Sequence, residues 1–274
     1  MFFFSKMQAT GNDFIILDYT REKLEYSHKL LAEYLCDRHF GIGGDGVLII
    51  EKSNIADYKM RIFNSDGTEA EMCGNGIRCI AKYIYEKKLI DKKEFKIETL
   101  SGIKKIKIDV EGNTVIKVSV NIGKPEFDFE KIPVISLVKG NKDKINIEGY
   151  EVYPLSLGNP HAVCFVDNVE EININDIGPM IENYKLFPNK SNVEFVEVKS
   201  KELIKVRVWE RGVGETFSCG TGACAASIIS NKYKYTSSEI NVELLGGKLK
   251  TNYENEEIVL IGDAEFVFDG KIQI

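Results

Sequence analysis

The chain has 274 residues, 43% of them hydrophobic and 28% charged, with a net charge of −6; this suits two medium domains, each able to bury a core of its own. The acidic balance excludes a general electrostatic attraction to nucleic acid or to an anionic membrane. No apolar run approaches the ~20 residues of a membrane span. Met1-Phe2-Phe3-Phe4 is too short for a signal sequence, and six cysteines without a dense framework point to a reducing cytoplasm.

Residues 2 to 18 read as a strand, a turn at Thr10-Gly11-Asn12-Asp13 and a second strand. Ser27 is an expected N-cap for a helix with Leu30, Leu31, Tyr34 and Leu35 on its packing side. Gly41-Ile42-Gly43-Gly44-Asp45-Gly46 matches the G-x-G-x-x-G pattern, but a helix precedes it and the strand Val47-Leu48-Ile49-Ile50 follows. That is the reverse of a dinucleotide-binding order, so the stretch reads as a tight turn. A strand from Tyr58 leads to the turn Asn64-Ser65-Asp66-Gly67. Next comes Met72-Cys73-Gly74-Asn75-Gly76, after which Ile77, Ile80, Ala81 and Ile84 define one helical face.

Short alternating strands run from Phe95 to Val120, with hairpins at Ser101-Gly102 and Glu111-Gly112-Asn113. Lys104, Lys105 and Lys107 interleave with Ile103, Ile106 and Ile108, a half-exposed strand rather than a basic tail. Residues 121 to 150, with Pro125, Pro133 and the polar run Lys139 to Lys144, are the most linker-like stretch. Beyond it a strand enters Leu157-Gly158-Asn159-Pro160-His161. A short helix is expected from Asp176 to Asn183, and strands around Val193 and Val206 lead to Glu210-Arg211-Gly212. Ser218-Cys219-Gly220-Thr221-Gly222 then opens a second helix, apolar nearly all round from Ala223 to Ile229. Strands from 239 to 268, turning at Gly246-Gly247, close the chain.

The two cysteine stretches belong to a longer repeat. At an offset of 146, Arg61-Ile62-Phe63-Asn64 maps to Arg207-Val208-Trp209-Glu210, Glu69 to Glu215, and Asp45 to Ile50 maps to Ser191 to Val196. At 147, Gly11-Asn12 maps to Gly158-Asn159. Four segments in one order at nearly one spacing indicate a duplicated domain. The expected division is 1–119 and 120–263, with a C-terminal strand at 264–274 as the candidate completion of the first.

Each Cys-Gly-x-Gly places a sulfur where helical N–H groups lack intrahelical partners, a position that favours thiolate. Zinc is opposed by the absence of C-x-x-C and of a histidine near the closest pair, Cys219 and Cys224. A disulfide between Cys73 and Cys219 would not need two Gly-rich helix openings. A one-nucleophile mechanism with His161 as base leaves the second cysteine unexplained. A symmetric pair is what a racemase or epimerase needs: one thiolate takes a proton from one face of a carbon and a thiol delivers one to the other. Cys36, Cys79, Cys164 and Cys224 read as core thiols.

Taken together, Gly11-Asn12-Asp13-Phe14, the turn with Asp45, Asn64, the Cys73 stretch, Gly158-Asn159-Pro160-His161, Asn192, Glu210-Arg211-Gly212 and the Cys219 stretch resemble the diaminopimelate epimerases across essentially the whole chain. Two departures are Gly46, where many members carry a substrate-contacting Gln, and Gln8-Ala9-Thr10-Gly11, where many carry His-Gly-Leu-Gly. The resemblance implies an α+β fold of two pseudo-symmetric domains, each a mixed β-sheet rolled around a central helix. It implies isomerisation of LL- to meso-diaminopimelate without cofactor or metal. Cys73 and Cys219 would be the acid and base in a cleft between the domains, supported by His161 and Glu210. The N–H groups of Gly74, Asn75, Gly220 and Thr221 would hold the α-carboxylate, while Asn12, Asn64, Asn159, Asn192, Glu210 and Arg211 would hold the rest of the amino acid. A cytoplasmic homodimer without nucleic-acid or membrane partners is implied as well. A proline-racemase-like enzyme and a non-catalytic binding module on the same fold are the alternatives.

Overall fold

The structure, a computed structural model, describes residues 1–21, 23–135 and 143–273. It divides into two compact units, residues 1–121 with 261–274, and residues 122–260.

The first unit begins with β1 (Phe2–Ala9), β2 (Asn12–Asp18), α1 (His28–Cys36), β3 (Gly46–Glu51), β4 (Tyr58–Asn64) and β5 (Glu69–Ala70). It continues with α2 (Gly74–Glu86), β6 (Glu94–Thr99), β7 (Gly102–Glu111) and β8 (Thr114–Gly123). The second holds β9 (Ile145–Ile147), β10 (Tyr150–Ser156), β11 (Pro160–Phe165), α3 (Ile174–Glu182), β12 (Asn192–Ser200), β13 (Leu203–Glu210) and β14 (Gly214–Thr216). After these come α4 (Gly220–Lys232), β15 (Glu239–Leu244), β16 (Gly247–Glu254) and β17 (Glu257–Gly262). The final strand, β18 (Glu265–Ile272), pairs antiparallel with β1, so the chain ends in the unit where it began.

The pairing scheme repeats strand for strand. In the first unit β1–β2 is antiparallel, β2–β3 parallel, β3–β4 and β4–β5 antiparallel, β4–β6 parallel and β6–β7 antiparallel. The second unit has the same sequence of pairings from β10–β11 through β15–β16. Phe14 lies opposite Gly46 in one parallel pair, and His161 lies opposite Asn192 in the other. This register explains why the sequence offset changes from 147 to 146 between the two strands. Equivalent residues keep the same partner although the loop between them differs by one residue.

Each sheet wraps a central helix. Strands β1 to β4 and β7 all touch α2, and strands β10 to β13, β15 and β16 all touch α4. With helices on one face and a second apolar layer on the other, the parallel strands are buried on both sides and read as continuous apolar runs. In the first unit that second layer contains Phe2, Phe4, Ile15, Leu17, Val47 and Ile49 against α1. In the second unit Phe129, Ile132, Val134, Val193 and Phe195 join residues of α3.

Several local expectations are corrected. Ser27 precedes α1 but its hydroxyl makes no capping bond, and the helix buries Leu31, Ala32, Leu35 and Cys36. Leu30 is 64% exposed and Tyr34 45%, so the packing face is turned by one residue from the expected one. Helix α2 is enclosed well beyond its apolar stripe, because Arg78 and Lys82 are buried too. Helix α3 begins at Ile174, two residues before the expected start, and contains Pro179. The linker-like stretch donates Phe129, Ile132 and Val134 to a core. The main part of its polar run, residues 139–142, lies outside the described residues. The glycine-rich 41–46 stretch joins α1 to β3 as a turn. Gly41 is obligatory there, since a Cβ would lie 2.2 Å from the Tyr34 carbonyl.

Candidate active site

Both cysteines are helix N-caps. Cys73 has extended backbone angles and its Sγ accepts the N–H of Gly76 at 3.4 Å; Cys219 does the same with Gly222, also at 3.4 Å. The geometry is that of a Ser or Asp cap with sulfur as acceptor, bonded to the third helical residue. Space is tight at that third residue because strand side chains lie close by. A Cβ on Gly76 would be 3.0 Å from Leu48, and one on Gly222 would be 2.9 Å from Glu194.

Around Cys73 the side chains are amides, a hydroxyl and a buried guanidinium. The Cys73 thiol lies 3.8 Å from Asn12 Oδ1, which also accepts from Asn75 Nδ2 at 3.3 Å. Asn75 Oδ1 accepts from Thr10 Oγ1 at 3.3 Å, and Thr10 in turn accepts from Arg78 Nη2 at 2.7 Å. Arg78 is fully buried and also donates to the carbonyls of Gly74 and Asp263, each at 3.0 Å. Asn12 Nδ2 donates to Asp45 at 2.6 Å, and Asp45 joins Arg38 and Asp13 in an ionic cluster with Lys6. Partial burial pushes the Asp13 carboxyl upward, but bonds from Arg38 and Lys6 outweigh it and hold it well below the usual carboxylate range.

Around Cys219 the chemistry differs. Thr221 Oγ1 is 3.5 Å from the sulfur and accepts from Asn159 Nδ2 at 3.3 Å. Asn159 Oδ1 faces His161 Nε2 at 3.1 Å, and His161 Nδ1 faces Glu194 Oε1 at 2.7 Å. His161 and Glu194 are both completely buried. Burial, and next the Glu210 carboxylate, push the Cys219 thiol well above its ordinary value, against the pull of Thr221 and of the Gly222 N–H. At Cys219 desolvation opposes the thiolate-favouring effect expected of a helix start and outweighs the capping N–H.

The remaining expected residues are placed as follows. Asn192 is buried at the head of β12, its amide donating to the Pro160 carbonyl at 2.9 Å and accepting the Arg211 N–H at 3.0 Å. Glu210 ends β13 and accepts from Thr216 Oγ1 at 2.6 Å. The Arg211 side chain is exposed, with one contact to the Asn189 carbonyl at 3.2 Å. Asn64, also exposed, bonds Thr68 at 3.0 Å inside its own turn. Glu194 carried no expected role, although an acid inside Val193-Glu194-Phe195-Val196, on a strand buried on both faces, was a signal that it had a buried partner.

The sequence model of the family described as Diaminopimelate epimerase matches residues 4–127 and 153–267. The chain is 46% identical to the diaminopimelate epimerase of Methanococcus maripaludis over 276 aligned positions, covering 99% of each chain. It is equally 46% identical to that of Caldanaerobacter subterraneus, again with 99% coverage of both. Among solved structures, a phenazine biosynthesis protein from Bacillus anthracis superposes with a TM-score of 0.71 at 19% identity, covering 100% of this chain and 99% of that one. A hydroxyproline epimerase from Agrobacterium vitis gives 0.70 at 13% identity, with coverages of 98% and 91%. These two likenesses establish the fold.

Proposed function

Because the chain belongs to the diaminopimelate epimerase family of isomerases, we propose that Cys73 and Cys219 are the proton-transfer pair that interconverts LL- and meso-diaminopimelate in lysine biosynthesis. The observation that carries this reading is the repeated cap: two equivalent helices, each opening on a sulfur held by the N–H of its third residue.

Epimerisation at an α-carbon needs a base on one face, an acid on the other, and a way to hold the negative charge that spreads into the α-carboxylate as the proton leaves. The two cysteines share one acid–base couple, thiol and thiolate, so either sulfur can serve as acid or base as the direction reverses. The helix starts at Gly74-Asn75 and Gly220-Thr221 present backbone N–H dipoles suited to a carboxylate whose charge grows in the transition state. Asn12 stands beside Cys73 and Asn159 is bonded to the Thr221 hydroxyl that faces Cys219, and their amides can hold ammonium or carboxylate groups of the amino acid. Asn64, Asn192, Glu210 and Arg211 are assigned to the remainder of the substrate, with Arg211 suited to a two-pronged bond to the distal carboxylate. His161 and Glu210 support the thiols, Glu210 by its charge near Cys219. The same reading takes the enzyme as a cytoplasmic homodimer, which sedimentation of the purified protein checks.

The direct test is proton NMR of LL-diaminopimelate with the protein in D2O. Loss of the α-proton signal with appearance of the meso isomer is expected. Exchange with proline and none with diaminopimelate would transfer the assignment to a proline-type racemase.

A further inference from the structure

The duplication makes every inward-facing strand position a comparison, and one pair is mismatched in chemistry. Leu48 on β3 and Glu194 on β12 occupy equivalent registers, opposite Ile16 and Val163. Each lies against the third residue of its helix, the glycine whose N–H donates to the sulfur. Where one half has an aliphatic side chain, the other has a completely buried carboxyl group. Burying a carboxylate is costly, and Glu194 Oε2 has no hydrogen-bond partner among the described residues. An anion would make that orphan oxygen still costlier, whereas a neutral acid needs a single bond, its O–H donating to His161 Nδ1. Burial indeed pushes the Glu194 carboxyl upward, against the opposing pulls of His161 and, more weakly, of the Ala162 backbone N–H.

With Nδ1 accepting, the imidazole proton is fixed on Nε2, where it donates to Asn159 Oδ1. The Asn159 amide is thereby oriented with Nδ2 donating to Thr221 Oγ1. Thr221, accepting that N–H on a lone pair, keeps its own O–H for Cys219 Sγ. All donors in the chain point toward the sulfur.

We propose that Glu194 is a positioning residue for Cys219, acting through His161, Asn159 and Thr221 to hold a hydroxyl donor on the sulfur whenever it becomes a thiolate in turnover. The inference rests on the assignment of Cys219 as a proton-transfer group. Neither His161 nor Glu194 has a counterpart in the other half, where Phe14 and Leu48 stand in their places, so the device belongs to one sulfur alone.

Glu194→Gln and Glu194→Leu separate this role from mere packing. Gln offers an N–H to Nδ1 in place of the acid O–H; Leu, the residue at the equivalent position, leaves Nδ1 unpaired. In steady-state epimerisation of LL-diaminopimelate, Glu194→Leu should lower kcat about tenfold or more with KM within about threefold, and Glu194→Gln should return kcat to within about threefold of wild type. Iodoacetamide labelling of the whole protein, read by peptide mass spectrometry, should slow several-fold at Cys219 in Glu194→Leu and stay unchanged at Cys73. Equal losses in the Gln and Leu variants, or unchanged Cys219 labelling, overturn the proposal. Should Glu194→Leu fail to fold, Thr221→Val deletes the last donor instead, and normal Cys219 labelling in it is equally contrary. Turnover that survives Cys219→Ala would instead sink the two-thiol reading, whatever the Glu194 variants do.

Discussion

The two halves of this protein share a frame and differ behind the sulfur. Both present a cysteine as the cap of a helix rolled inside a mixed sheet, with the same strand pairings. Behind Cys73 stand Phe14, Leu48 and the buried cation Arg78; at the equivalent places behind Cys219 stand His161, Glu194 and the small thiol Cys224. The sulfur of the first half faces the carbonyl oxygen of Asn12, an acceptor that suits a thiol, while that of the second faces the hydroxyl of Thr221, which can donate to a thiolate. Duplication gives the two sulfurs the same place at a helix start, and divergence of the buried neighbours gives the two thiols different hydrogen-bonding environments.

The comparison can be broken by giving one half the residues of the other. His161→Phe copies Phe14 into the second half and removes the link between Glu194 and Asn159. It should lower kcat by roughly a hundredfold, within the range of a lost acid–base support, as steady-state assay will show. Buried charge behind the first sulfur should matter to stability more than to rate. Arg78→Met strands the carbonyls of Gly74 and Asp263 and the Thr10 hydroxyl, and should cost about 3 kcal/mol in urea unfolding. Cys224→Ala, at the equivalent position, should cost only about 1 kcal/mol. The smallest contrast lies in the glycines. Gly76→Ala pushes on a flexible Leu48 methyl at 3.0 Å, but Gly222→Ala meets Glu194 at 2.9 Å, held by its bond to His161. The second should be the more destabilising by about 1 kcal/mol, from the midpoints of thermal melting.

Much of this was legible before any coordinates. The offset of 146 to 147 predicted the repeated sheet, and Cys-Gly-x-Gly predicted a sulfur at a helix start, because only a few residue types fit those backbone positions. What escaped depended on the other side of a contact. The buried face of α1 does not follow from the sequence, because Leu30 and Leu31 are both apolar and spacing alone does not say which of two adjacent residues meets the sheet. The upward push on the Cys219 thiol comes first from burial and next from Glu210, and neither is contained in the helix start itself. Glu194 is not identifiable from the strand around Val193 alone, because the acid among its apolar residues requires a partner that only the fold supplies.

The central claim is that each half contributes one proton-transfer group. Cys73→Ala and Cys219→Ala, each compared with wild type for conversion of LL- to meso-diaminopimelate in D2O by proton NMR, test it most directly. The account predicts that both variants fold and that both lose turnover by about a thousandfold or more, since each lacks the group for one face of the α-carbon. Near-normal conversion in either one would contradict it.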